Sequence, residues 1–125
     1  MKIYISGMIT SLKEDQYRRD FNEAANYITE RGHEAVDPSL LGKPEHHSWD
    51  YYMRKAIAQL VECDAIYMLR SYHVSKGALL EKALAIGLEM PVFYEQAAED
   101  IPKRLSTPQL LNEDLDTGNY GQQQL

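Results

Sequence analysis

Two carboxylates, Glu81 and Asp50, and one helix entry, Ser75-Lys76-Gly77, are the groups in this sequence whose types and spacing could do chemistry. In "SKGALLEKALAIG" (75–87), Glu81 falls beside Gly77, Leu84 and Leu88, at the border of the apolar arc of a helix. A glutamate there is either a solvated rim residue or a carboxylate facing a site, where it could serve as a nucleophile or as counter-charge to a developing cation. At about 100° per residue, Asp50 shares a helix face with Met53, Ile57 and Val61. A carboxylate in that first turn is either an N-cap or a site residue. The segment entering the Glu81 helix offers a hydroxyl, a cation and an unobstructed backbone, and the N–H groups of a helix start suit an anion.

The elements that must position these groups follow from the apolar pattern. "KIYIS" (2–6) reads as a first strand ending at Gly7. Ser11 and Glu14 have capping-box spacing and place a helix start nearby. Tyr17, Phe21, Ala24, Ala25 and Ile28 form the stripe of that helix, and "RG" (31–32) stops it. "HEAVD" (33–37) is a second strand closed by Pro38. A second helix capped by Ser48 or Asp50 runs to about Glu62, with Met53, Ile57, Leu60 and Val61 inward. "CDAIYML" (63–69), "RSYHV" (70–74), the Ser75 helix and "PVFYE" (91–95) supply strand, loop, helix and strand. The alternation predicts an α/β fold with a parallel sheet of four to five strands and helices on both faces, expected to be flavodoxin/Rossmann-like with the order 2-1-3-4. Such sheets bind ligands beyond the C-terminal strand ends where the order reverses, between strands 1 and 3. The loop after Gly7 and the 70–74 loop border that crevice. Residues 1–104 are expected to form this domain. Residues 105–125 form a polar tail, expected to be loosely ordered.

Composition removes several classes of function. A net charge of −6 argues against extended contact with nucleic-acid backbone, though not against one small anion. One cysteine allows no intrachain disulfide and fits a reducing, cytoplasmic setting. No apolar run is long enough to span a membrane, and the chain enters its first strand without a signal peptide. There is no G-x-G-x-x-G after strand 1, no P-loop and no G-x-S-x-G elbow. The four histidines and one cysteine lack metal-ligand spacing, so neither a metal nor an organic cofactor is expected. Trp49, Tyr51 and Tyr52 could stack on a base or simply pack.

Four segments, "KIYISGMIT", "WDYYMRKAI", "ECDAIYML" and "SKGALLEKALAIGLEMPVFYE", in this order and spacing, resemble the nucleoside 2-deoxyribosyltransferase-like superfamily over residues 1 to 95. The likeness is to its small bacterial and phage branch, related to 2'-deoxynucleoside 5'-phosphate N-hydrolases. The resemblance implies that Glu81 is a nucleophile and that Tyr4, three residues before Gly7, orients it. It implies that Ser75 contacts the sugar or phosphate of a nucleoside or nucleotide. Asp50 is the nearest candidate for the acid. Gly7, Met8, Ile9, Thr10, Trp49, Arg70, Lys76 and Gly77 are the expected substrate contacts, and a homodimer or higher homo-oligomer is implied. Cleavage of an N-glycosidic bond by hydrolysis or transfer is the expected activity. The rival expectation is a non-catalytic nucleotide-binding module or sensor using the same crevice. Two departures bear on the choice. Thr10 stands where the hydrolases carry a phosphate-holding arginine, and Ala56 stands near their helix-borne acid.

Overall fold

A computed structural model describes residues 1–41, 48–97 and 101–102. The elements are β1 (Lys2–Ser6), α1 (Glu14–Glu30), β2 (Glu34–Val36), α2 (Trp49–Leu60), β3 (Ala65–Met68), α3 (Lys76–Gly87) and β4 (Val92–Tyr94). All strands pair in parallel, as the alternation predicts, and in the expected order β2-β1-β3-β4. The expected polar tail, residues 105–125, lies outside the described residues. No described helix is long and apolar enough to cross a membrane.

The pleat of β1 sends alternate side chains to opposite faces. Ile3 and Ile5 join Ala65, Tyr67 and Leu69 against Tyr17, Phe21, Ala24 and Ile28 of α1. Tyr4 lies on the other face with Ile66 and Met68, against Ala56 and Leu60 of α2 and Ala78 and Ala85 of α3. Fully burying a side chain of this size contributes about 1.5–3 kcal/mol, and Ile3, Tyr4, Ile5, Phe21, Ile28, Leu60 and Ile66 are all fully buried. The helices are therefore clamped on a sheet whose middle strands have no wet face.

Three local expectations are corrected. The cap of α1 is Lys13, with no side-chain hydrogen bond, so Ser11 and Glu14 form no capping box. The inner face of α2 is Met53, Ala56 and Leu60, whereas Val61 is 53% exposed and Ile57 half-buried. Ala56, small enough to sit flush against the sheet, rotates the buried stripe away from the face predicted from the larger side chains. The loops after β2 and β3 tighten into 3₁₀ turns, Pro38–Leu41 and Arg70–Val74. Gly32 ends α1 at φ 87°, a conformation glycine adopts without steric cost.

At the upper end of β1 the backbone ladder continues past the strand, with the Leu69 N–H donating to the Ser6 carbonyl at 2.8 Å. This brings the chain at Gly7 hard against Leu69. A Cβ on Gly7 would lie 2.6 Å from Leu69 Cδ1 and 2.9 Å from its Cβ. Neither atom can retreat, because Leu69 is 2% exposed in the α1-side core. Gly7→Ala is expected to lower the stability of the protein by about 1–3 kcal/mol through overpacking. Urea denaturation of both proteins measures this, and equal midpoints would refute the tight junction.

Candidate active site

The sheet face shared by α2 and α3 carries two hydroxyls from one strand. Tyr4 and Ser6 are two residues apart on β1, so the pleat aims both toward α3. Glu81, in the second turn of α3, meets them. The Tyr4 hydroxyl donates to Glu81 Oε2 at 2.6 Å and the Ser6 hydroxyl to Oε1 at 2.6 Å. Tyr4 and Ser6 are fully buried and Glu81 is 5% exposed. Each carboxylate oxygen thus has its own short O–H donor, which favours the ionised form. Burial opposes ionisation more strongly, and the Glu81 carboxyl is raised to about 7, with the Ser6 and Tyr4 hydrogen bonds limiting the rise. The Tyr4 hydroxyl is pushed well up, by burial first and the Glu81 charge second. It stays protonated and remains a donor.

Glu81 lies on the wall of a cavity of about 280 Å³ at the C-terminal ends of β1 and β3. The loop after β1 forms one side through Gly7, Met8, Ile9 and Thr10. Ser75, Lys76 and Gly77 at the start of α3 form the opposite side, and Trp49 stands at the start of α2. The two bordering loops are tied together, since the Met8 N–H donates to Ser71 Oγ at 3.0 Å. Ser75 is the N-cap of α3 and its Oγ accepts from the Ala78 N–H at 3.1 Å. The Lys76 ammonium sits over the Trp49 ring, 4.1 Å from its centroid, so cation and indole form one unit of the rim. Gly77 allows α2 to close on α3: a Cβ there would lie 3.0 Å from Met53 Sδ.

Two expected site residues are elsewhere. Asp50 is fully exposed, and hydrogen bonding with the Ser48 side chain holds its carboxyl below the usual value. Ser48 caps α2, its Oγ accepting from the Tyr51 N–H at 3.4 Å, and Asp50 belongs to this exposed first turn rather than to the cavity wall. Its expected place on the inward face fails because the buried stripe of α2 is Met53, Ala56 and Leu60. Arg70 is also exposed and off the cavity wall. Its N–H donates to Glu95 Oε1 at 2.8 Å, which ties it toward the β4 side, away from the β1–β3 crevice.

Ser6, Met53 and Pro38 were not among the expected site residues, and Tyr52 was expected either to stack on a base or to pack. Tyr52 lines the cavity, donates to the Pro38 carbonyl at 3.2 Å, and has its hydroxyl pushed up by burial and by Glu81. For Ser6 a signal exists in the sequence: residues 4 and 6 of one strand share a face, so anything met by Tyr4 is within reach of Ser6. Tyr51, by contrast, is exposed and absent from the wall.

The strand order and the crevice at its reversal define a doubly wound α/β protein, with one buried carboxylate on the cavity wall among the described residues. Residues 1–94 match the model of the family described as "Domain of unknown function (DUF4406)", and the chain belongs to that family. Among solved structures it is similar to a 2-deoxyribosyltransferase from the psychrotolerant bacterium Bacillus psychrosaccharolyticus. The TM-score is 0.58 at 19% identity, over 75% of this chain and 71% of the other. That likeness shows a shared fold. No curated protein matches the chain.

The buried carboxylate has a thermodynamic signature. The folded state binds the Glu81 proton more tightly than the unfolded chain does, so this group's contribution is greatest below pH 4.5 and is lost as pH rises through about 7. That window corresponds to about 3 kcal/mol at 1.36 kcal/mol per pH unit. Glu81→Gln removes the titration while keeping groups that the two hydroxyls can meet. The variant is expected to gain stability relative to wild type by about this amount between pH 5 and 8. Chemical denaturation at both pH values measures it, and a pH-independent difference would contradict the raised carboxyl.

Proposed function

We propose that this protein cleaves the N-glycosidic bond of a nucleoside or nucleotide, with Glu81 as the nucleophile. The observation that carries the reading is a buried carboxylate on the cavity wall, each oxygen held by its own hydroxyl donor. Supporting it are the resemblance of the four sequence segments and the fold shared with a 2-deoxyribosyltransferase.

In the proposed reaction a Glu81 oxygen bonds to C1' of the sugar as the C–N bond to the base breaks. The base leaves with the bonding pair and takes up a proton from solvent water reaching the open cavity. Water then releases the sugar in a hydrolase, or a second base accepts it in a transferase. Tyr4 and Ser6 act through Glu81 as positioning residues, fixing the plane of the carboxylate. Met8, Ile9 and Thr10 would enclose the substrate from one side, and Ser75 with Lys76 and Gly77 from the other. Trp49 offers an aromatic surface at the rim, and Tyr52 one within the cavity. The expected first limb of the pH profile comes from Glu81 itself: a nucleophile must be ionised, so kcat/KM should fall as pH drops below about 7.

A second reading, a nucleotide-binding module without turnover, is favoured by one observation. Glu81 is the only carboxylate on the cavity wall among the described residues, and Ala56, near the hydrolases' acid position, is fully buried. Such a module would use the same cavity and leave the glycosidic bond intact.

Release of free base from deoxynucleosides, ribonucleosides and their 5'-monophosphates separates the two. Wild type is expected to release base from at least one, and Glu81→Gln to lose at least about 10³-fold in kcat. Ser6→Ala and Tyr4→Phe each remove a donor to the carboxylate, so each should move the acid limb to higher pH. Binding without release, with or without an acceptor base, would overturn the enzymatic reading and leave the binding module.

A further inference from the structure

We propose that Ser71 is a positioning residue for the substrate loop: its hydroxyl fixes the Met8–Thr10 segment against the cavity and so sets how tightly a substrate is held, with no part in the bond change. The tie follows from backbone geometry alone, whereas its effect on turnover rests on the glycosidase reading of the cavity. Ser71 stands in the 3₁₀ turn Arg70–Val74, is half-buried and is not on the cavity wall. Its Oγ accepts from the Met8 N–H at 3.0 Å, across 63 positions of the chain.

The strand register shows why a side chain is needed there. β1 and β3 run in parallel with Ser6 opposite Met68, and the Leu69 N–H donates to the Ser6 carbonyl at 2.8 Å. In a parallel ladder the next bond would run from the Met8 N–H to the Leu69 carbonyl. That carbonyl accepts from the Tyr72 N–H at 3.0 Å instead, because the chain turns at this point. Met8 is half-buried, and a donor left without an acceptor in such a place costs free energy. Ser71 supplies the acceptor, so a hydroxyl makes the rung that the backbone has given up. Beyond Met8, Ile9 is buried in the α1-side core, and the Leu12 N–H closes the loop on the Ile9 carbonyl at 3.1 Å. The loop is thus pinned at two points, Ile9 in the core and Met8 on Ser71.

An acceptor on a loose turn would fix nothing, and this turn is held from the β4 side. The Arg70 N–H donates to Glu95 Oε1 at 2.8 Å. The Tyr72 ring meets the Tyr94 ring at 5.7 Å between centroids, and the Lys82 ammonium from α3 lies over both, at 4.8 and 5.2 Å. The Ser75 N–H donates to the Tyr72 carbonyl at 3.1 Å and joins the turn to the start of α3. Glu81 depends on none of these contacts. Its two donors, Tyr4 and Ser6, belong to β1, so a loosened loop leaves the carboxylate in place. Substrate binding and bond cleavage are therefore supported separately.

Ser71→Ala, beside Ser71→Thr, which keeps the hydroxyl, tests this by two readouts. In NMR hydrogen exchange, Ser71→Ala is expected to speed exchange of the Met8 amide at least about 10-fold while the Ile3 and Ile5 amides stay unchanged. In base release, its KM should rise about 5- to 10-fold with kcat within about 2-fold of wild type, and the acid limb of the pH profile should stay in place. Ser71→Thr should restore both readouts. If wild type binds nucleotides without cleaving them, the calorimetric Kd for deoxynucleoside 5'-monophosphates takes the place of KM. Unchanged Met8 exchange in Ser71→Ala would overturn the tie, whatever the activity. Faster exchange with KM or Kd unchanged, or with kcat lost in proportion, would overturn the positioning role. A wild type that neither binds nor cleaves any of these nucleotides would overturn the glycosidase reading, and with it the role of Ser71 in substrate binding.

Discussion

A carboxylate removed from water must be either neutral or surrounded by donors, and the interior of this protein is arranged around that constraint. Glu81 has two donors and no cation among the described residues. Hydroxyls are weaker partners than a guanidinium, so the balance stays close to neutrality and the group titrates where a histidine ordinarily would. An arginine beside Glu81 would keep it ionised but would also occupy the space and neutralise its charge. The arrangement leaves a carboxylate that is fixed in orientation, ionisable, and on the wall of a cavity wide enough for a small molecule.

Each neighbouring feature serves this arrangement. The parallel sheet places Tyr4 and Ser6 on one face because β1 is central and paired on both sides, by β2 and β3. The glycine after β1 lets the next loop pass directly over Leu69 and return across the cavity. Ser75 ends the 3₁₀ turn and begins α3, which sets the rotation of the helix and so the direction of Glu81. The Ala56 position lets α2 lie close to the sheet, and Tyr52 then reaches the cavity from the adjacent helix position.

Much of this was legible in the sequence, and what was not has identifiable causes. The parallel sheet with helices on both faces follows from the alternation of apolar runs, and the crevice follows once the order 2-1-3-4 is taken. Glu81 and Tyr4 were legible through the resemblance, whereas pattern alone left Glu81 between rim and site. It could not do better, because α3 is apolar nearly all round and its buried side is not marked by contrast. Asp50 was misplaced for the opposite reason: the wheel was weighted by large side chains, and a small buried alanine defined the true inner face. Ser6 carries no mark of its own in the sequence: the face it shares with Tyr4 matters only once Glu81 is placed against that face. Arg70 depended on the path of a short turn, which tertiary contacts with the β4 side decide.

The two hydrogen bonds on Glu81 join residues 77 and 75 positions apart in the chain. No local segment can form them, and each closes a loop that spans most of the domain. During folding α3 can acquire its helical hydrogen bonds early, but its carboxylate must stay hydrated until β1 and β3 are paired and the hydroxyls are in place. The hydrogen-bonded carboxylate can therefore form only once β1 and α3 have docked, and it is lost when that contact loosens. Its integrity reports on long-range closure of the whole sheet rather than on the helix that carries it.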